Sequence, residues 1–327
     1  MLAGEIHFQQ KAYQCIDMAA THNHKLPIAG FVITFLAAVL FSTKAIIVKK
    51  AFAGMHISPL SLLSVRMLFS LPFYIAAAFF TSRQKSNVQL TRREWIQVIT
   101  VGILGYYLSS LFDFIGLQYI SAGLERLILF LYPTFAVLMN GYLFKQRMTG
   151  RQKIALALTY AGIGIAYFGE LKIDTSNPNF LWGSFLVFLC AITYSFYLVG
   201  SARLIPKIGS TKFTAYAMLA ATVGVLVHFT LAGEYTRLQV NSGLWHYGML
   251  LALVATVFPS FMLSYGMKTI GGNNTAILTS IGPVSTILQA HFILGDPIFM
   301  EQVAGTLLVV AGVILIGWKA STAESST

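Results

Sequence analysis

Long apolar runs broken by short polar stretches dominate the chain from Leu26 onward. Each run approaches the roughly 20 residues a helix needs to cross the hydrocarbon core of a bilayer. The pattern predicts an all-α membrane protein with ten transmembrane helices, near residues 28–48, 59–80, 95–115, 123–144, 154–169, 180–200, 213–231, 246–267, 275–294 and 303–318. Several breaks have turn chemistry: Ser58-Pro59, Thr175-Ser-Asn-Pro178 and Gly271-Gly-Asn-Asn274. Thr91-Arg-Arg-Glu94 and Thr149-Gly-Arg-Gln152 fit the capping box, in which side chains at N-cap and N3 satisfy free backbone donors. Residues 1–26 and 320–327 read as polar cytoplasmic tails. The opening stretch lacks the apolar middle of a secretory signal, and Met18 is a second possible start.

Composition narrows the class. The chain is 56% hydrophobic and 10% charged, against about 25% charged for a soluble domain. So few charges cannot cover a soluble fold of this size, which excludes a soluble enzyme. The net charge of +11 is explained by topology. With the N-terminus inside, fifteen lysines and arginines fall in the tails and even-numbered loops, and only Lys49, Lys50, Lys172 and Arg237 fall outside. By the positive-inside rule both termini face the cytoplasm. Lipid contact accounts for the basic runs, and no nucleic-acid partner is expected. Cys15 and Cys190 do not form a disulfide framework.

The halves match at a fixed offset of 150: Trp95 with Trp245, Ser110 with Ser260, Gly116 with Gly266, Ile120 with Ile270, Pro133 with Pro283, Gln152 with Gln302 and Ala161-Gly162 with Ala311-Gly312. Five helices are an odd number, so a second copy enters from the opposite side. This is a 5+5 inverted-topology repeat, spanning 27–169 and 180–319, which puts a solute site near the midplane at the repeat interface.

The run Gly116-Leu-Gln-Tyr-Ile-Ser-Ala-Gly-Leu-Glu-Arg-Leu-Ile-Leu-Phe-Leu-Tyr-Pro133 resembles the third-to-fourth helix signature of EamA-type proteins of the drug/metabolite transporter superfamily. Gly266-Met-Lys-Thr-Ile, Ile281-Gly-Pro283 and Leu294-Gly-Asp296 resemble its second copy. The resemblance implies ten helices in a five-plus-five repeat and export or exchange of small metabolites. It also implies a cavity surrounded by helices one to four and six to nine. The acid often found after the fourth and ninth helices is Asp296 in the second half, but Gln146 stands there in the first.

Ionisable residues within a membrane are costly and mark functional candidates. Lys44, Arg66, Asp113, Glu125 and Arg126 come from four helices. At about 1.5 Å per residue all five fall in the outer half of the bilayer. They suggest an outer gate or anion-attracting vestibule, in which Lys44 or Arg66 pairs with Asp113 or Glu125. Snorkelling to the interface is the bland alternative, and for Glu125 so is a helix N-terminus that favours a carboxylate. Pro133 and Pro283 interrupt backbone hydrogen bonding within their helices. Tyr106, Tyr107, Tyr132 and Tyr194 offer aromatic faces with hydroxyl tips. The second copy contributes neutral groups: Asn274, Thr275, Thr279, Ser280, Ser285 and Gln289, with Ser260 and Ser264. Ala157-x-x-x-Ala161 and Gly162-x-x-x-Ala166 permit close helix approach.

HExxH, P-loop and GxSxG motifs are missing from the sequence. His228 and His291 stand alone, so no metal site and no cofactor are expected. The reading is a secondary active transporter with alternating access in an inner membrane. It exports or exchanges a small metabolite, an amino acid or organic anion, with a proton or counter-solute as coupling partner. A membrane-embedded enzyme acting on lipid-linked substrates, with Asp113 and Glu125 as its acid–base pair, and a passive channel are the rivals.

Overall fold

The structure is a computed structural model that describes residues 28–324, apart from 56, 85–87, 145–149, 174–177, 237–241 and 280. The N-terminal tail, Thr149, Gln146, most of the 175–178 turn and Ser280 lie outside the described residues, as does the side chain of Asn274. Every apolar run carries helix, and among the described residues there are no strands.

The helices are α1 (Ile28–Gly54), α2 (Pro59–Ser82), α3 (Arg92–Gly116), α4 (Ala122–Leu129), α5 (Tyr132–Phe144), α6 (Gly150–Ile173), α7 (Phe180–Ile208) and α8 (Ser210–Leu231). There follow α9 (Ser242–Ala252), α10 (Phe258–Thr279), α11 (Gly282–Gln289) and α12 (Met300–Glu324). Six helical stretches among the described residues are long and apolar enough to cross a membrane: α1, α2, α3, α7, α8 and Gly243–Gly266. Their outward faces are apolar, with Phe35, Leu36, Phe73, Phe79, Phe185, Val223 and Phe258 exposed. Such faces suit lipid and would be a liability in water.

Local chemistry explains several boundaries. Thr91 Oγ1 accepts from the Glu94 amide, and the Glu94 carboxylate accepts from the Thr91 amide, so the expected capping box starts α3. Ser58 and Ser121 cap α2 and α4. Proline cannot donate to the carbonyl four residues back. α4 ends at Leu129, four residues before Pro133, and α10 ends at Thr279, four before Pro283. The two prolines therefore stand at the start of new helices, not in the middle of continuous ones as the sequence suggested.

Two further boundaries differ from expectation. The backbone at 271–274 is helical, although Gly271-Gly-Asn-Asn274 was expected to turn. Propensity is a weak prior that tertiary contact overrides, and just upstream Ile270 and Thr269 pack against Gly30 of α1. The final helix runs to Glu324 rather than ending near Trp318.

Packing between the halves is reciprocal. α6 lies along α12, with Gly162 against the Gly305 carbonyl and Val309. Gly312 lies against the Ala155 carbonyl and Thr159. These contacts exchange under the offset of 150: 162 with 312, 305 with 155, and 309 with 159. Ala166 approaches Gly305 from the same face, whereas Ala157 and Ala161 point outward. α1 packs on α10 and α11, while α7 packs on α3 and α5. A π-helical turn at Ile103–Leu108 interrupts α3, and another at Leu253–Val257 joins α9 to α10, again 150 residues on. Such turns shift the direction of every side chain beyond them.

Candidate functional site

Three helices bring one ammonium and two carboxyls together. Lys44 comes from α1, Asp113 from the stretch of α3 beyond its π turn, and Glu125 from the first turn of α4. Ser121 at the N-cap of α4 accepts from the Leu124 amide, which fixes the turn carrying Glu125. Lys44 Nζ lies 2.7 Å from Asp113 Oδ2 and 3.5 Å from Glu125 Oε1. Both carboxyls are buried. Sharing one ammonium, the two carboxyls repel each other unless one carries a proton.

Arg66 of α2 is buried beside this triad without joining it. Its Nη2 donates to Ser110 Oγ at 3.0 Å, and its guanidinium stands 5.0 Å from the centre of the Phe114 ring. Asp113 is close enough for electrostatic attraction, but neither carboxyl is within ion-pair distance of Arg66. Of the two cations expected to pair with the acids, Lys44 takes both.

Arg126 follows Glu125 in sequence but points elsewhere. Its guanidinium lies against Gly282, the residue before Pro283, where a Cβ would come within 2.7 Å of Nη2. It sits 5.6 Å from the centre of the Phe130 ring. Tyr132 and Tyr194 are within its electrostatic reach.

The tyrosines form a connected wall. Tyr132 meets Tyr194 edge-on at 5.2 Å, Tyr194 stacks on Tyr197 at 5.6 Å, and the Tyr197 and Tyr106 hydroxyls are 2.9 Å apart. Tyr107 lies apart from this wall. Its hydroxyl bonds His228 Nδ1 at 2.8 Å, and its ring rests on Gly224 of α8. The π turn carries both Tyr106 and Tyr107, and adjacent residues within it face different helices.

Beside each proline, the carbonyl of the preceding residue accepts from a serine of another helix, whose hydroxyl is shared with a carbonyl of its own helix. Ser195 of α7 donates to the Tyr132 carbonyl at 2.9 Å, and Ser42 of α1 donates to the Gly282 carbonyl at 3.2 Å. These carbonyls occupy positions 132 and 282, again 150 apart. Neutral groups of the second half link helices: Ser260 shares a hydrogen bond with the Tyr74 hydroxyl at 2.9 Å, and Gln289 donates to Ser285 and to the Val39 carbonyl. His291 bonds the Asp296 carbonyl. Burial pushes the Asp296 carboxyl above its ordinary range, and Lys49 opposes that shift.

Sequence reasoning missed Ser42, Ser110, Phe114, Ser195, Tyr197 and Gly282. The small residues were invisible because their roles depend on contacts across the chain. Tyr197 was detectable, standing three positions after Tyr194 on one helical face.

The EamA-like transporter family model matches twice, over residues 28–168 and 181–318. Among curated relatives, an uncharacterized transporter of Bacillus subtilis (strain 168), YcbK, is 28% identical over 282 residues, covering 85% of this chain and 89% of the relative. An uncharacterized transporter of Archaeoglobus fulgidus is 22% identical over 260 residues, covering 80% and 89%. A solved crystal structure of a protein shares the fold, with a TM-score of 0.65 at 18% identity, covering 90% of this chain and 98% of that one. With its helices long and apolar enough to span a bilayer and its apolar outer faces, this chain is a multi-pass membrane protein that belongs to the EamA-like transporter family.

Proposed function

We infer that this membrane transporter works by alternating access, as a secondary carrier of an amino acid or organic anion, in an inner membrane with both termini cytoplasmic. Ten membrane-crossing segments form two inverted five-helix halves in this reading. The twofold family match, the reciprocal Gly162 and Gly312 contacts and the paired proline breaks support it. The excess of basic residues in the inner loops supports the orientation.

The observation that carries the mechanism is Lys44 held between Asp113 and Glu125. With both carboxyls ionised the triad sums to −1, and one proton neutralises it. Beside buried carboxyls such a proton is a coupling ion, because its uptake changes the charge that a neighbouring solute meets. The triad joins α1, α3 and α4, so its charge state bears on how those helices pack. Loss of that proton sets two carboxylates against each other across Lys44 and favours rearrangement of α4 against α3.

A flux screen in proteoliposomes across amino acids, organic anions and nucleosides tests the reading. Saturable uptake with counterflow is expected. Linear, unsaturable flux means a channel, and chemical conversion of a lipid-linked substrate by the purified protein means an enzyme.

A further inference from the structure

We propose that Arg126 is the anion-recognition residue of the transport path, and that its ligand is a monocarboxylate with a flat apolar body. The inference deepens the transporter reading and rests on it for the route, though not for binding itself. Among the described residues the buried acids are Asp113 and Glu125, and Lys44 lies within ion-pair distance of both. Arg66 also has a buried Nε without an acceptor, but its Nη2 donates to Ser110 and Asp113 attracts it, so part of its charge is already answered. Arg126 is half-buried, and no described carboxylate lies within ion-pair distance of it. Its Nε is buried without a hydrogen-bond acceptor.

A guanidinium offers a planar fork matched to the two oxygens of a carboxylate. A carboxylate at Arg126 would supply the acceptor that Nε lacks. The surroundings describe the rest of the ligand. The guanidinium stands 5.6 Å from the Phe130 ring, which meets Tyr132 at 5.5 Å, and Tyr132 meets Tyr194 in turn. Tyr197 extends the wall by stacking on Tyr194. A flat apolar body fits against such rings.

The excess of cations sets the sign. Lys44, Arg66 and Arg126 against Asp113 and Glu125 sum to +1 with both carboxyls ionised and to +2 with one of them protonated. In either state the single fork of Arg126 takes one carboxylate. Gly282 keeps the guanidinium in place, since a Cβ there would press on its flexible end from 2.7 Å.

Benzoate is the probe, with benzyl alcohol and benzylamine as neutral and cationic analogues of similar shape. Binding is measured by calorimetry on the intact protein in detergent. Wild type binds benzoate in preference to both analogues. Arg126→Gln weakens benzoate by about tenfold or more and leaves benzyl alcohol unchanged, and Arg126→Lys falls between. Should Arg126→Gln fail to fold, Gly282→Ala keeps the charge, displaces the fork and produces a similar loss. The proposal is overturned if wild type ignores benzoate, or if benzoate binds equally well without the guanidinium or with it displaced. Benzoate counterflow in proteoliposomes is the separate arm. Binding without flux preserves the Arg126 site and sinks carriage of that ligand. Flux unchanged by Arg126→Gln preserves transport and sinks the site.

Discussion

Lys44 Nζ lies 2.7 Å from Asp113 Oδ2, and the same ammonium reaches Glu125 Oε1 at 3.5 Å. One cation therefore answers two buried carboxyls. Removing it would leave both without a counter-ion, and breaking a buried pair from one side costs about 3–5 kcal/mol. Lys44→Met should lower the thermal unfolding temperature in detergent strongly. Adding Glu125→Gln should restore part of the loss, because one carboxylate is then neutral. An unchanged melting temperature for Lys44→Met would show that the pair contributes nothing to the fold.

Within the triad, Glu125 is the acid we assign to proton linkage. Its carboxyl faces Asp113 as well as Lys44, so glutamine at this position mimics a permanently protonated side chain. Glu125→Gln should fold, exchange solute for solute, and fail to concentrate solute when a pH gradient is the driving force. The dependence of wild-type transport on pH should flatten in the variant. Normal pH-driven accumulation by Glu125→Gln would remove the proton role and leave gating or a carboxylate favoured by the helix N-terminus.

Much of this arrangement was legible in the chain. Apolar run length marks helices because a bilayer sets their minimum length. Ionisable residues within apolar runs stood out because they are expensive there, and of the five, Lys44, Asp113 and Glu125 meet. Partner choice was not legible. Whether Lys44 or Arg66 meets the acids depends on the rotation of α1 and α2 about their axes, which packing sets. The π turn in α3 similarly sends Tyr106 to Tyr197 and Tyr107 to His228, and no local composition announces such a turn. Proline was only half informative. Pro133 and Pro283 end the preceding helices, yet Pro72 stays inside α2.

The contact of α6 with α12 depends on glycine. A Cβ on Gly162 would stand 2.5 Å from the Gly305 carbonyl, which is backbone and cannot step aside. Gly162→Leu should destabilise the protein by about 1–3 kcal/mol through overpacking, and Gly312→Leu should act alike. Gly164→Leu is the control, since nothing lies within 4 Å of its Cβ position. Thermal unfolding of the three variants checks the ranking. Equal melting temperatures for Gly162→Leu and Gly164→Leu would refute the close approach.

Orientation is open to direct labelling. In a background without Cys15 and Cys190, Val88→Cys and Lys207→Cys should resist an impermeant maleimide applied to intact cells and react after permeabilisation. Lys50→Cys should react from outside. External labelling at position 88 or 207 would reverse the assignment drawn from the basic loops.

Arg66 supplies the last test, which separates recognition of charge from support of the fold. Its Nη2 is held by Ser110, its guanidinium faces Phe114, and its Nε is buried without an acceptor. Arg66 is therefore held by neutral groups, and Asp113 nearby answers part of its charge without an ion pair. A carboxylate passing the triad gains long-range attraction from it, whereas a neutral analogue gains none. Arg66→Gln should raise the apparent KM for an acidic solute by about tenfold, with a much smaller change for neutral analogues. Arg66→Lys should recover part of the effect, since it restores charge without the planar fork. A purely structural role would instead raise KM for both solutes or lower the amount of folded carrier. If the intact carrier moves quaternary ammonium compounds well and ignores acids and amino acids, the positive sum of the cluster does not select the solute. Lys44, Asp113 and Glu125 would then be a gate.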